Sequence, residues 1–551
     1  YVMKTVDGGL HWQQISPDLT GGNAQADTSG ATTVANARQR GYGVVFTIAP
    51  SPLNAAEIWA GSDTGLIHLT KDGGETWSDV TPKGLPAWSK ISLIEASHYD
   101  PAVAYAAVDR HRLDDYKPYL YITRDYGKTW SMSVDGIAAT SFLRAVREDP
   151  KQRGLLYAGT EFGIYVSFDD GSHWQPLQLN LPVTSIRDME VHGDDLVIAT
   201  HGRSFWILDD ITPLRQAAEA QKAASAWFYA PAEAVRVDND RFLGTPLPPE
   251  EPQAKNPPGG AIFDYLLKSP AHTVTLQIYR AEESRDQHHQ ILRHFSSADK
   301  AEAHRPPLPI AERWFPAPQV LATTAGAHRF LWDLAAGGSG SADEDDDEGP
   351  GAPSGPRVAP GVYTVQLTVD GQSMQQTLHV AMDPRVQATS AELQQQFDLA
   401  QTIYTEALRS RKAMAEIQSV QEELKKLQSK VAHDARLAPA VERAQTSVAQ
   451  IAGVDGDQKG SADAGKQPGL SQASAALGTA LRVVVSGHRS APASALEIDK
   501  QMSALANDRI AQWSAFKSGE LAQLNTELEK AKLKPVQITE IEQEVDYLMT
   551  R

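Results

Sequence analysis

Thr123-Arg-Asp125-Tyr-Gly127-Lys-Thr129-Trp130 is the stretch that decides how the N-terminal part of the chain folds, because it recurs. The other copies are Thr5-Val-Asp7-Gly-Gly9-Leu-His-Trp12, Thr70-Lys-Asp72-Gly-Gly74-Glu-Thr76-Trp77 and Ser167-Phe-Asp169-Asp-Gly171-Ser-His-Trp174. The shared pattern is Ser/Thr-x-Asp-x-Gly-x-x-Trp. Self-similarity over tens of residues is the signature of a repeat architecture. Each copy lies between strand-like runs, as Leu155-Leu-Tyr157-Ala and Ile164-Tyr-Val166-Ser precede the fourth. The pattern therefore predicts a hairpin turn. The Asp accepts backbone N–H bonds, the Gly permits positive φ, and the Trp covers the sheet edge. Bonding this local makes the four Asp residues turn-builders rather than acids.

The repeat Asp residues lie 65, 53 and 44 residues apart, from Asp7 to Asp72, Asp125 and Asp169. Four-stranded propeller blades run to about 40–45 residues. Inserts account for the excess: a polar stretch near 21–40, and Asp109-Arg-His-Arg-Leu-Asp-Asp-Tyr-Lys-Pro118 in the second interval. A last repeat lacks the turn motif: Asp195-Leu-Val-Ile-Ala-Thr-His201-Gly202-Arg203-Ser-Phe-Trp206-Ile-Leu-Asp-Asp210. The count is about four blades and a fraction, fewer than a closed ring usually takes. The expectation is the C-terminal part of a larger propeller, with a second chain or another segment supplying the missing blades.

The chain has 551 residues, a formal net charge of −18 and no cysteine. That charge argues against a nucleic-acid surface. Zero cysteine excludes disulfides and thiol chemistry. No apolar run is long enough to span a bilayer as a helix. The organisation reads as multi-domain and mainly β. Residues 1–212 form propeller blades, 213–260 a linker, 261–384 an immunoglobulin-like β-sandwich, and 385–551 a helical bundle or hairpin. Within the linker, 213–226 has helical character. The sandwich rests on alternating runs at 261–265, 273–279, 328–334, 361–369 and 375–380, with Asp370-Gly371 as a hairpin turn. An acidic loop, 337–355, interrupts it; its unspaced carboxylates suit a solvated run better than a calcium loop. Thr389-Ser-Ala-Glu392 fits a capping box. Ile417, Val420, Leu424, Leu427 and Val431 form an apolar seam, and a last helix is expected over about 495–533.

If the repeated turn joins the third and fourth strands of a blade, the turns between second and third strands project from the opposite face. Asp63, Asp109, Glu161 and His201 lie in those turns and are the candidate catalytic groups. Arg110, His111, Arg112 and Arg203 are the candidate ligand-binding groups, with Asp114 and Asp115 nearby. A glycosidase needs two carboxyls about 5–5.5 Å or about 6.5–9.5 Å apart. Asp63, Asp109 and Glu161 could supply such a pair, and each is also an ordinary turn residue. His201-Gly202-Arg203 suits either an anion or a structured turn. His288-His289 has no spaced partner ligands, so no metal is assigned. No cofactor motif is present.

The repeated turns resemble the Asp box, or bacterial neuraminidase repeat. With the Thr-His-Gly-Arg repeat they make the chain similar to the bacterial sortilin-like Asp-box propellers, a group labelled as glycosyl hydrolases. His328-Arg-Phe-Leu-Trp-Asp-Leu334 and Pro360-Gly-Val-Tyr-Thr-Val-Gln-Leu367 resemble that group's following sandwich. The resemblance implies an exported bacterial protein: periplasmic, cell-surface or secreted. It implies a peptide, protein or glycan ligand on the propeller. A glycoside hydrolase and a structural subunit of a cell-surface assembly are the alternatives. The residues of sialidases do not carry over, although Arg110, Arg112 and Arg203 are available for a carboxylate.

Overall fold

In this computed structural model the described residues are 1–23, 25–237, 257–280, 291–299, 319–337, 355–453 and 468–538. The acidic run Asp343–Glu348 and His288-His289 lie outside them. The chain divides into two compact units, Tyr1–Ala223 and Ala224–Arg551.

The first unit is built of antiparallel meander sheets in sequence order. A pair, β1 (Met3–Lys4) and β2 (Gln13–Gln14), comes first. A short helix, α1 (Val34–Ala37), follows. The next sheet holds β3 (Val45–Pro50), β4 (Ile58–Ser62), β5 (Ile67–Thr70) and β6 (Ser78–Asp79). Then come β7 (Lys90–Ala96), β8 (Ala104–Asp109), β9 (Tyr119–Thr123) and β10 (Ser131–Met132). A third holds β11 (Leu143–Glu148), β12 (Leu156–Thr160), β13 (Ile164–Ser167) and β14 (Gln175–Pro176). A three-stranded sheet, β15 (Ile186–His192), β16 (Asp195–Thr200) and β17 (Phe205–Leu208), ends the series. Successive sheets pack face to face. One apolar core joins Leu120, Leu143, Tyr157, Ile186 and Ile198 from three of them. The arrangement is propeller-like.

The repeated turns carry this stacking. In the third, Thr123 Oγ1 donates to Asp125 Oδ1 at 3.0 Å and accepts from the Gly127 N–H at 2.8 Å. Asp125 accepts from the Thr129 N–H at 2.9 Å and the Thr129 hydroxyl at 2.7 Å. The other three turns repeat the Asp-to-backbone bond at His11, Thr76 and His173. Each Trp then reaches back to the preceding sheet. Trp77 Nε1 donates to Ile15 O at 2.8 Å, Trp130 to Val80 O at 2.7 Å, and Trp174 to Ser133 Oγ at 3.1 Å. Trp12 instead bonds the Gly9 carbonyl of its own turn and is 58% exposed.

In the second unit a five-stranded and a three-stranded sheet share one core. The strands are β18 (Ala226–Phe228), β19 (Ala234–Arg236), β20 (Ala261–Leu267), β21 (Val274–Arg280), β22 (Ile291–Ser296), β23 (Gly326–Trp332), β24 (Gly361–Val369) and β25 (Gln372–Met382). Trp332 of one sheet meets Tyr363 of the other edge to face at 6.5 Å. The Asp370-Gly371 hairpin is as expected, both residues adopting positive φ (47° and 84°). Two corrections concern 213–236. Helix is confined to α2 (Thr212–Arg215) and α3 (Ala217–Lys222). The stretch expected to be linker contributes β18 beside β20 and β19 in parallel beside β25. These strands exist because neighbouring sheet edges were free to accept them.

The helices are α4 (Ser390–Val431), α5 (Leu437–Ala452), α6 (Leu470–Val485), α7 (Ala493–Phe516) and α8 (Ala522–Lys530). Thr389 caps α4 with Glu392 as expected, and the seam from Ile417 to Val431 is buried. The last helix is not continuous: a π turn at Lys517–Leu521, containing Gly519, separates α7 from α8. Among the described residues no helix is long and apolar enough to cross a membrane.

Two outcomes follow from the turns. Trp130→Ala should lower the stability of the first unit by about 2–4 kcal/mol, whereas exposed Trp12→Ala should cost under about 1 kcal/mol. Urea unfolding followed by circular dichroism measures both, and equal losses would refute the inter-sheet role. Hydrogen bonds from the His11 backbone, the His11 ring and Thr5 hold the Asp7 carboxyl at about 2. Thr129 likewise depresses Asp125. Folded values below unfolded ones mean stability that is present above about pH 4 and lost as the pH falls towards 2. Asp125→Asn should flatten that acid dependence while lowering the plateau at pH 7; an unchanged acid slope would contradict the turn-building role.

Candidate functional site

The turns opposite the Trp-bearing ones place the four expected acidic and basic groups at one structural position. Asp63, Glu161 and His201 each follow the second strand of their sheet, and Asp109 is the last residue of its own. The Asp63, Glu161 and His201 N–H groups donate to Val44 O, Phe142 O and Ser185 O, one residue before the first strand or at its lead-in. Asp109 pairs with Lys90 at the same level.

The first strands share a second feature. Each has a register irregularity at equivalent places: between Val45 and Thr47, Ile91 and Leu93, Leu143 and Ala145, and Ile186 and Asp188. A bulge re-aims the extra side chain. The re-aimed residues are Phe46, Ser92, Arg144 and Arg187.

Arg144 ties two sheets together, and its partner Glu161 reaches a third. Its Nη1 donates to Asp109 Oδ2 at 2.7 Å, and its Nε and Nη2 hold Glu161 Oε2 at 3.1 and 2.8 Å. Ser185 Oγ donates to the same Glu161 oxygen at 2.7 Å. Asp109 is almost fully buried and also accepts from the His111 N–H and meets its Nδ1 at 2.6 Å. The His111 ring stacks on Phe142 at 5.0 Å, and the Arg144 guanidinium lies 4.7 Å from the same ring. Burial raises the Glu161 pKa, but bonds from Ser185 and Arg144 outweigh it, so the carboxyl sits below its ordinary value.

The remaining expected residues stay outside this network. Asp63 accepts from the Val44 N–H at 2.8 Å. Arg110 faces Asp115 at 3.4 Å and the Tyr119 ring. Arg112, His201 and Arg203 are exposed, and among the described residues their side chains form no hydrogen bond or ion pair. Asp109 and Glu161 are thus brought together through one guanidinium, and Asp63 and His201 are not. Sequence reasoning missed Arg144, Ser185, Lys90 and Arg187. A usable signal was a cation at the start of three successive apolar strands.

Lys90 is half-buried, with its Nζ 3.7 Å from the Phe46 ring centre. Burial pulls its pKa below the ordinary lysine value; Asp109 opposes this, and Arg144, Arg112 and Arg187 reinforce it. Among the described residues, no cluster of three or more His, Cys, Asp or Glu side chains suits a metal. A shallow recess of about 600 Å³ opens elsewhere, beside the Trp-bearing turns, lined by Met132, Asp135, Gly136, Asp170 and Gly171 among others. Arg124 and Asp170 are already paired there.

No family model matches the chain, and no curated protein sequence does. Among solved structures, it is similar to a GH74 enzyme of Niastella koreensis, at 18% identity, TM-score 0.24, over 28% of this chain and 26% of that one. It is also similar to YCF48 bound to D1 peptide, at 17% identity, TM-score 0.25, over 30% and 52%. An ancestral GH74 enzyme aligns at 13% identity, TM-score 0.23, over 46% and 32%. The chain therefore spans about a quarter to a half of the first two in length. Scores this low leave the propeller-like description resting on strand order and the Trp links.

Removing Arg144 should expose its importance to folding. Arg144→Met leaves the buried Asp109 without its guanidinium and should cost about 3–5 kcal/mol. Arg144→Lys, a point charge unable to bridge both acids, should recover only part of it. Thermal unfolding of the two variants checks this, and a neutral Arg144→Met would disprove the bridging role.

Proposed function

We propose that the first unit is part of an Asp-box propeller of the sortilin-like kind, which binds a peptide, protein or glycan at the turns carrying Asp63, Asp109, Glu161 and His201. In this reading the chain contributes about four blades and a fraction, followed by an immunoglobulin-like sandwich and a helical bundle, in an exported bacterial protein. Exposed apolar faces on the first four-stranded sheet and on the last sheet support further blades, on another segment or a second chain. Ile48, paired with buried Ala60, is 49% exposed on β3. Phe205 and Ile207 of β17 are 74% and 56% exposed. Apolar sheet faces of this kind favour a covering partner.

The observation that carries binding over catalysis is the Asp109–Arg144–Glu161 bridge. A general acid needs a raised pKa and a free proton. Glu161 has a lowered one, and both carboxylates are occupied by the same arginine. Around them stand the cations Lys90, Arg112 and Arg187 and the half-exposed Phe162, with the exposed Asp114 in the same turn as Asp109. That composition suits recognition.

The test sets binding against turnover. The full chain is titrated with labelled extended peptides and, separately, incubated with chromogenic glycosides. The expected result is saturable binding, weakened about tenfold by Phe162→Ala, and no glycoside cleavage. Glycoside cleavage abolished by Glu161→Gln would replace this reading with the hydrolase one.

A further inference from the structure

We propose that this face recognises an acidic peptide segment, with Lys90 and Arg187 holding a peptide carboxylate beside the apolar surface of Phe46. The inference rests on the binding reading above and names the ligand's chemistry.

The first argument is charge. The protein as a whole is strongly acidic, at −18. Yet three further cations, Arg112, Arg144 and Arg187, lie close enough to act on Lys90. The carboxylates among them are Asp109 and Glu161, and both are bound to Arg144. The nearby acids Asp188 and Glu95 are bound to Arg147, and Asp115 faces Arg110. Lys90 and Arg187 therefore have no carboxylate in direct contact: Asp109 and Glu161 attract them only at longer range, and among the described residues neither side chain makes a hydrogen bond or ion pair. A half-buried ammonium without an anion is costly, and an incoming carboxylate would remove that cost.

The second argument is the neighbour. The Lys90 ammonium lies over the Phe46 ring at 3.7 Å, and Phe46 is still 48% exposed. An anion binding Lys90 meets this ring at once, so the ligand must combine a carboxylate with an apolar group. A peptide does this along one strand.

The third argument is the backbone. β3, β7, β11 and β15 each end the strand order of their sheet, leaving one edge unpaired. Their irregularities fall at the cation-bearing level. Unpaired strand edges offer an extended peptide hydrogen bonds that a sugar ring does not match as well.

The test titrates the full chain with a fluorescein-labelled decapeptide containing three glutamates and one phenylalanine, read by anisotropy. Companions carry a C-terminal amide, glutamine in place of glutamate, or both changes. An oligogalacturonide supplies carboxylates on a glycan. The acidic peptide should bind at least about tenfold tighter than the neutral one. Lys90→Met and Arg187→Gln should each remove about that factor while leaving the neutral peptide unaffected. Loss on amidation would assign the site to a chain terminus, and loss on glutamine replacement to acidic side chains; either supports the proposal. Arg187 is exposed, so Arg187→Gln decides alone if Lys90→Met does not fold. Equal binding of acidic and neutral peptides, or unchanged affinity in both variants, overturns the carboxylate site and leaves the binding reading standing. Tighter binding of the oligogalacturonide overturns the peptide assignment. No binding of any probe at about 1 mM removes both.

Discussion

A single indole N–H, repeated from sheet to sheet, holds the first unit in order. Trp77, Trp130 and Trp174 each donate to the residue that follows the outermost strand of the sheet before. The bond satisfies a group that would otherwise be lost at a sheet edge, and the ring covers apolar surface. Neither could happen without the turn. The Asp of each repeat fixes the loop by accepting the backbone N–H four residues on, and the Gly takes up positive φ, as at Gly127 (76°) and Gly171 (81°). At Gly127 a Cβ would lie 2.6 Å from Val80 of the preceding sheet, so the close approach also requires glycine. The motif is short because turn, capping and inter-sheet contact are made by one loop.

Fixing one end of each sheet fixes the other. With the first three strands of each sheet four to seven residues long and in a common register, the turns at the opposite end fall at one level in every sheet. That is why Asp63, Asp109, Glu161 and His201 are equivalent although their local sequences differ. At this level the inter-sheet link is ionic, not indole. Arg144 bridges Asp109 behind it and Glu161 beside it, and Ser185 of the next strand closes on Glu161. The two ends thus hold the stack by different means. At the Trp-bearing end a locally bonded turn presents one indole to the sheet before, and at the other end charged side chains from different sheets meet.

This difference governs what the sequence makes legible. The Trp-bearing turns are visible because the Ser/Thr and Asp bonds that shape them lie within four residues of their partners, so spacing alone encodes them; the indole bonds to the preceding sheet are not encoded in that way. The level of the opposite turns is also legible, since it follows from strand alternation. Arg144 is not. In Ser-Phe-Leu-Arg-Ala-Val it reads as one polar residue in an alternating strand, and only the bulge turns it toward Asp109, 35 positions earlier. Bulges carry no fixed residue signature, so the direction taken by Arg187 was hidden with it; Lys90 pairs regularly with Asp109, and only its place at the strand start marked it. The strands Ala226–Phe228 and Ala234–Arg236 were hidden for another reason. Three residues make no periodicity, and these pair only because distant strands offer an edge.

The same charges bear on what the site can do. A carboxylate held by a guanidinium and a hydroxyl has its ionised form stabilised, and each such bond lowers its readiness to give up or take a proton in a reaction. Glu161 is in that position, and Asp109 is walled off from solvent. The pair therefore serves as a fixed negative floor that orients Arg144 and keeps His111 flat against Phe142. The cations of the first strands that lack a bonded carboxylate, Lys90 and Arg187, act on this pair at longer range. Fixed dipoles and charges of this kind act by attraction and selection rather than by proton transfer. An acidic molecule repels most anions at a distance, so on the proposed reading a ligand gains from Lys90, Arg187 and Phe46 only by presenting its carboxylate close to an apolar group.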